Sequence, residues 1–141
     1  MQPEAIISRP LKQLAKEGKL NEHLIRSMYR HFVAPINENG FDIDELRGKY
    51  KPSWEYSGPT SATHKAWLEA AETHSLHHYH VGFVTYKSGN DPHYLGDESD
   101  GLIHTKIDHF GSVQRHIIFK ADECHPKPFS FPFDPAIDFA V

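Results

Sequence analysis

The sequence predicts an α+β fold, with a small antiparallel β-sheet of three or more strands packed on N-terminal helices. Three observations carry the prediction. Residues 75–86, 102–108 and 113–120 alternate in side-chain character with a period of two, as strands do. Leu24, Ile25, Met28 and Phe32 recur at helical spacing, and the turn between the last two strands is short enough to impose a hairpin. The 141 residues fit a single domain, in which 1–74 is mainly helical with loops, 75–120 forms the sheet and 121–141 is a Pro/Phe-rich extended tail.

Composition narrows the function classes. The formal charge of −4, from 15 basic and 19 acidic residues, gives no support for nucleic-acid binding, although 12 histidines can offset it under mild acid. The single cysteine, Cys124, forms no internal disulfide and belongs to no Cys-based zinc site, which fits a reducing, cytoplasmic setting. It precedes His125 directly, and neighbours in an extended segment point apart, so it reads as a plain thiol rather than a nucleophile. The N-terminus lacks the apolar run of a secretory signal, and no stretch approaches the ~20 apolar residues that span a membrane.

In chain order, residues 4–17 have helix-forming composition, but Pro10 must sit in a first turn, which places one helix at 9–16 and its stop at Gly18. Asn21 caps the next helix, which Pro35 ends. Its outer face shows Arg26, Arg30 and His31, a solvated face that could also meet RNA or an acidic partner. Residues 37–40 are a turn, and 42–48 hold a short helix capped by Asp42. Residues 49–63 make a loop both aromatic and basic, where Lys51 and Trp54 suit unstacked bases. The blander alternative is a long loop pinned by Trp54 and Tyr56. Ser61 or Thr63 caps a helix that buries Trp67, Leu68 and Ala71.

The strand at 75–86 is the richest in chemistry. Its alternation puts Tyr79, Val81 and Phe83 on one face and His78, His80 and Tyr86 on the other. After a polar connection, 102–108 turns Ile103, Thr105 and Ile107 one way and His104 and Lys106 the other. The third strand sets Val113, Ile117 and Phe119 against His116 and Lys120, with Ile118 interrupting the polar side. Paired as one sheet, these strands would press their apolar face on the helices and leave an exposed face of His78, His80, Tyr86, His104, Lys106, His116 and Lys120. Two imidazoles flanking a phosphodiester can serve as base and acid while a lysine stabilises charge on the phosphorus oxygens, and RNA cleavage by the adjacent 2′-hydroxyl then needs no metal or other cofactor. The same three histidines, His78, His80 and His104, could alternatively hold zinc or iron. No acidic residue stands at short spacing from the His-x-His to complete a common metal motif.

The runs His78-Tyr79-His80, Ile103-His104-Thr105, His116-Ile117-Ile118-Phe119-Lys120 and His125-Pro126-Lys127-Pro128 resemble the YafO branch of the RelE-like bacterial toxins, over roughly residues 67–129. The resemblance implies a RelE-like α+β protein encoded beside an antitoxin, its partner, and cleavage of mRNA on the ribosome without a metal. By position it implies catalytic roles for His78, His80 and His104, and a substrate-binding role for His125 with Lys127. Such folds also include gyrase-directed toxins without nuclease chemistry, for which the histidine face would be incidental.

Overall fold

The computed structural model describes residues 2–124 and 130–141 and is an α+β fold around a five-stranded mixed sheet. In chain order run β1 (Gln2–Ile7), α1 (Arg9–Lys16), α2 (Glu22–Met28), a π-helical turn (Tyr29–Val33), α3 (Ala34–Asn37), a 3-10 turn (Ile43–Glu45), β2 (Tyr50–Pro52), α4 (Ala62–Thr73), β3 (Leu76–Lys87), β4 (Glu98–Phe110) and β5 (Val113–Asp122). The spatial order is β1-β5-β4-β3-β2, and every pairing is antiparallel except β1 with β5.

The sheet is therefore not purely antiparallel, and two of its strands lay where helix or loop was expected. β1 pairs with the far end of the chain, Ala5 opposite His116 and Ile7 opposite Ile118, so no local pattern announces it. Asn37 at the end of α3 holds it from the other side, its side chain bonding the backbone N–H and C=O of Ala5 at 2.8 Å each. β2 is three residues long, and Pro52 is tolerated there because β2 is an edge strand.

Local chemistry sets the helices. Ser8 accepts a bond from the Leu11 N–H and Pro10 sits in the first turn of α1, where its missing donor is not needed. Asn21 caps α2, but the helical run passes through Pro35 rather than stopping there. The π-helical turn explains how: the Ala34 N–H reaches back five residues to the Tyr29 carbonyl, and Pro35 then falls in the first turn of α3. Ser61 caps α4 through the His64 N–H. Gly111, at φ +58, turns β4 into β5.

Helices cover both sheet faces, not one. Leu11, Leu24, Met28, Phe32, Val33 and Ile36 pack on Ala5, Ile7, Tyr79, Val81, Phe83, Ile103, Ile107 and Ile118. On the reverse face, Trp67 and Ala71 of α4 join Leu76, Phe119 and three rings of the C-terminal segment, Phe131, Phe133 and Phe139. That segment is tied down at its end, where the Arg9 N–H and guanidinium bond the carbonyls of Ala140 and Val141, each at 2.7 Å. Among the described residues no helix is long and apolar enough to cross a membrane.

Up to Phe119, β5 presents its faces the opposite way from expectation, whereas Lys120 keeps the expected side. His116 and Ile118 enter the core on the side of the π-helical turn, where Phe32 meets the His116 ring, while Phe119 meets the C-terminal rings. A bulge between His104 and Thr105 causes part of this: Lys120 stands opposite His104, yet Ile118 stands opposite Thr105, so one extra β5 residue is absorbed and the alternation slips.

Candidate functional site

Directly paired residues in a sheet share a face, and four of the expected site residues form one cross-strand row: Lys51 on β2 opposite His78 on β3, His78 opposite His104 on β4, and His104 opposite Lys120 on β5. His80 follows on the same face of β3. The His78 ring lies 5.8 Å from that of His80 and 6.5 Å from that of His104, centroid to centroid. The shared face that strand alternation implies is thus present.

Its partners order the row. Ser53 Oγ lies 3.0 Å from His78 Nδ1. Asp122 takes His104 Nε2 at 3.0 Å through one oxygen and the Lys120 ammonium at 3.0 Å through the other. Burial acts to raise the Asp122 carboxyl, but these two donors outweigh it and hold the group below its ordinary value. The ring of His104 is thereby fixed by a carboxylate, the arrangement that orients an imidazole for proton transfer.

Exposure differs from expectation. His78, His80 and His104 are 5%, 3% and 1% exposed, and over His104 the cover is aromatic, with Phe131 of the C-terminal segment 4.7 Å away and Phe119 of β5 6.4 Å away. Those phenylalanines need apolar cover, and Leu76 and Phe119 beside the polar row supply it. Solvent begins at the neighbours: the Lys120 and Asp122 side chains are 36% and 21% exposed.

Several expected members lie elsewhere. His116 is on the opposite face, fully buried, with Nδ1 2.8 Å from the Tyr50 hydroxyl and Nε2 3.2 Å from Gln114 Oε1. Burial, reinforced by His77 and His109, pushes its pKa down to about 4, so it is a neutral core histidine. Tyr86 is carried away by a second bulge, between Val81 and Tyr86 on β3, and packs against Arg47 and His31 on the helical side. Lys106 keeps the expected face, but its ammonium pairs with Asp108 and lies 5.7 Å from the Phe139 ring. Lys51, though in the row, sends its ammonium to Asp91 at 3.9 Å and the Tyr94 ring at 5.6 Å. Trp54 packs edge-on against His77 at 5.2 Å, so the basic aromatic loop is pinned down rather than presented to bases. His125 and Lys127 lie outside the described residues.

The metal alternative at His78, His80 and His104 finds no support, since no three His, Cys, Asp or Glu side chains among the described residues converge to hold an ion. Ser53 and Asp122 instead claim a nitrogen each from His78 and His104. Asp122 and Ser53 are the site residues that sequence reasoning missed. Asp122 was legible in principle, two positions beyond Lys120 on a strand that runs to it; Ser53 carried no signal. Comparisons with protein-family models, curated proteins and solved structures find no match.

Proposed function

We propose that this protein is the toxin of a bacterial toxin–antitoxin pair, an endoribonuclease that cleaves mRNA on the ribosome without a metal, as its resemblance to the YafO branch of the RelE-like toxins implies. The observation that carries the reading is the cross-strand row through His78, His104 and Lys120, in which two imidazoles share a face with an ammonium group that meets His104 at the Asp122 carboxylate. In that chemistry a neutral imidazole takes the proton of a 2′-hydroxyl, the oxygen attacks phosphorus, and the bond to the 5′-oxygen breaks as a second imidazole protonates it. The lysine nearest solvent, Lys120, stabilises charge on the phosphoryl oxygens. Because Phe131 lies over His104, RNA reaches these rings only when residues 130–141 lift.

Burial of the imidazoles favours a second reading, in which they are structural and the toxin acts by binding a protein such as gyrase. Expression without the antitoxin separates the two. The nuclease reading expects growth arrest with translation lost within minutes and relief by Lys120→Gln, a half-exposed position whose replacement leaves the fold intact. Stalled replication with transcripts intact would favour the gyrase reading, and normal growth would refute both.

A further inference from the structure

On the helical side of the sheet, between α2, the π-helical turn and the bulged end of β3, lies a cavity of about 650 Å³. Arg26, Arg30, Arg47, His23, His31 and Tyr86 line it, and no carboxylate does. Acidic residues outnumber basic ones in this chain by 19 to 15, so a concavity with three guanidinium groups and no acid departs from the average surface. Arg26 and Arg30 stand four residues apart on one helical run, where like charges repel. Neither pairs with a carboxylate among the described residues. Arg47 does reach Asp97, at 3.4 Å, but across a solvent-exposed gap that leaves the pair weak.

The walls are built rather than accidental. The Arg47 guanidinium lies 4.3 Å from the centre of the Tyr86 ring, and His31 meets the same ring at 5.4 Å. Gly82 makes room for that ring, since a Cβ there would overlap it. His23 Nε2 donates to the Phe83 carbonyl at 2.5 Å, fixing the bulged strand to α2. The Asp100 carboxylate accepts the Val84 and Thr85 N–H groups at 3.0 and 3.1 Å and so holds the bulge from outside the cavity. Burial, and to a lesser extent the charges of Arg30 and Arg47, keep the His31 pKa below its ordinary value.

We propose that this cavity is a binding site for the phosphate of a nucleotide, with Arg30 and Arg47 as its principal ligands. Planar guanidinium forks match pairs of phosphate oxygens, and a concavity of this size, partly open to solvent, admits a nucleotide, whereas an acidic protein segment calls for an extended face. The site lies across the sheet from the imidazole row and is independent of it, so a failed cleavage assay leaves it standing.

The test is equilibrium binding of the 5′-phosphorylated diribonucleotide pApA, and of ApA, which lacks the 5′-phosphate, to the full chain, with the His31 titration followed by NMR. Saturable binding of pApA is expected, at least about tenfold weaker for ApA and for each of Arg30→Gln and Arg47→Gln, and unchanged for Lys65→Gln on the surface of α4. Bound pApA should raise the His31 pKa. Absence of saturable binding, binding indifferent to both arginine substitutions, or an unmoved His31 would overturn the proposal. A polyglutamate peptide binding more tightly than pApA would overturn the choice of ligand in favour of an acidic protein.

Discussion

Acidification should unfold this protein through one buried ring before it touches the carboxylates. His116 is neutral at pH 7, held within a chain of hydrogen bonds in which the Tyr50 hydroxyl sits 2.6 Å from Thr105 Oγ1 and 2.8 Å from His116 Nδ1. Its folded pKa of about 4 lies below the ordinary 6.5, so the unfolded chain binds a proton more readily than the native state between those values. Stability is then full above pH 6.5, falls as the pH drops, and has lost about 2.5 kcal/mol from this ring by pH 4.5, at 1.36 kcal/mol per pKa unit. His31 and His77, also held low mainly by burial, add losses of the same sign in the same window. Asp122 is lowered too, but its contribution is lost only below its ordinary 3.8, outside this range. Urea midpoints followed by circular dichroism at pH 7 and pH 4.5 measure the effect, with His116→Gln as the comparison. The variant should be less stable at pH 7, having lost a buried bond, yet show a pH slope smaller by about 2.5 kcal/mol. An unchanged slope would refute the assignment of a neutral, buried His116.

Other consequences are accessible to the same assays. Gly48→Ala should cost about 1–3 kcal/mol, because a Cβ there overlaps the His80 carbonyl oxygen and comes within 2.8 Å of the Tyr79 ring; thermal melting measures it. Asn37→Ala should cost about 1–3 kcal/mol by leaving both Ala5 backbone groups without their side-chain partner, and hydrogen exchange should report β1 opening first. Phe131→Ala should lose about 2 kcal/mol of stability from its half-buried ring and raise cleavage of ribosome-bound transcripts several-fold, since the roof over His104 is thinned. A transcript-cleavage rate that falls with the loss of Phe131 would contradict the idea that residues 130–141 obstruct the site.

The three long strands and the helix at 9–16 were legible because each is set by local pattern: alternation for the strands, and Pro10 in the first turn with Gly18 beyond the end for the helix. β1 was not, because Ala5 and Ile7 are held by residues more than a hundred positions away and by Asn37, information that no window of sequence contains. The histidine row was legible as far as its face. Its burial was not, because it depends on where Phe131 and Phe139 land, and a proline-rich segment has no period from which to read that. His116 and Tyr86 were misplaced for one shared reason, since period-two reasoning assumes an unbroken ladder and both sit beyond a bulge.

Cleavage of a defined transcript by the purified protein, with and without ribosomes and with and without a transition-metal chelator that spares the magnesium of the ribosome, tests the functional reading most directly. Attack by the 2′-hydroxyl predicts cuts only in ribosome-bound RNA, undiminished by the chelator, with upstream fragments ending in a 2′,3′-cyclic phosphate. Transcripts left whole on the ribosome, or cleavage abolished by the chelator, would contradict it.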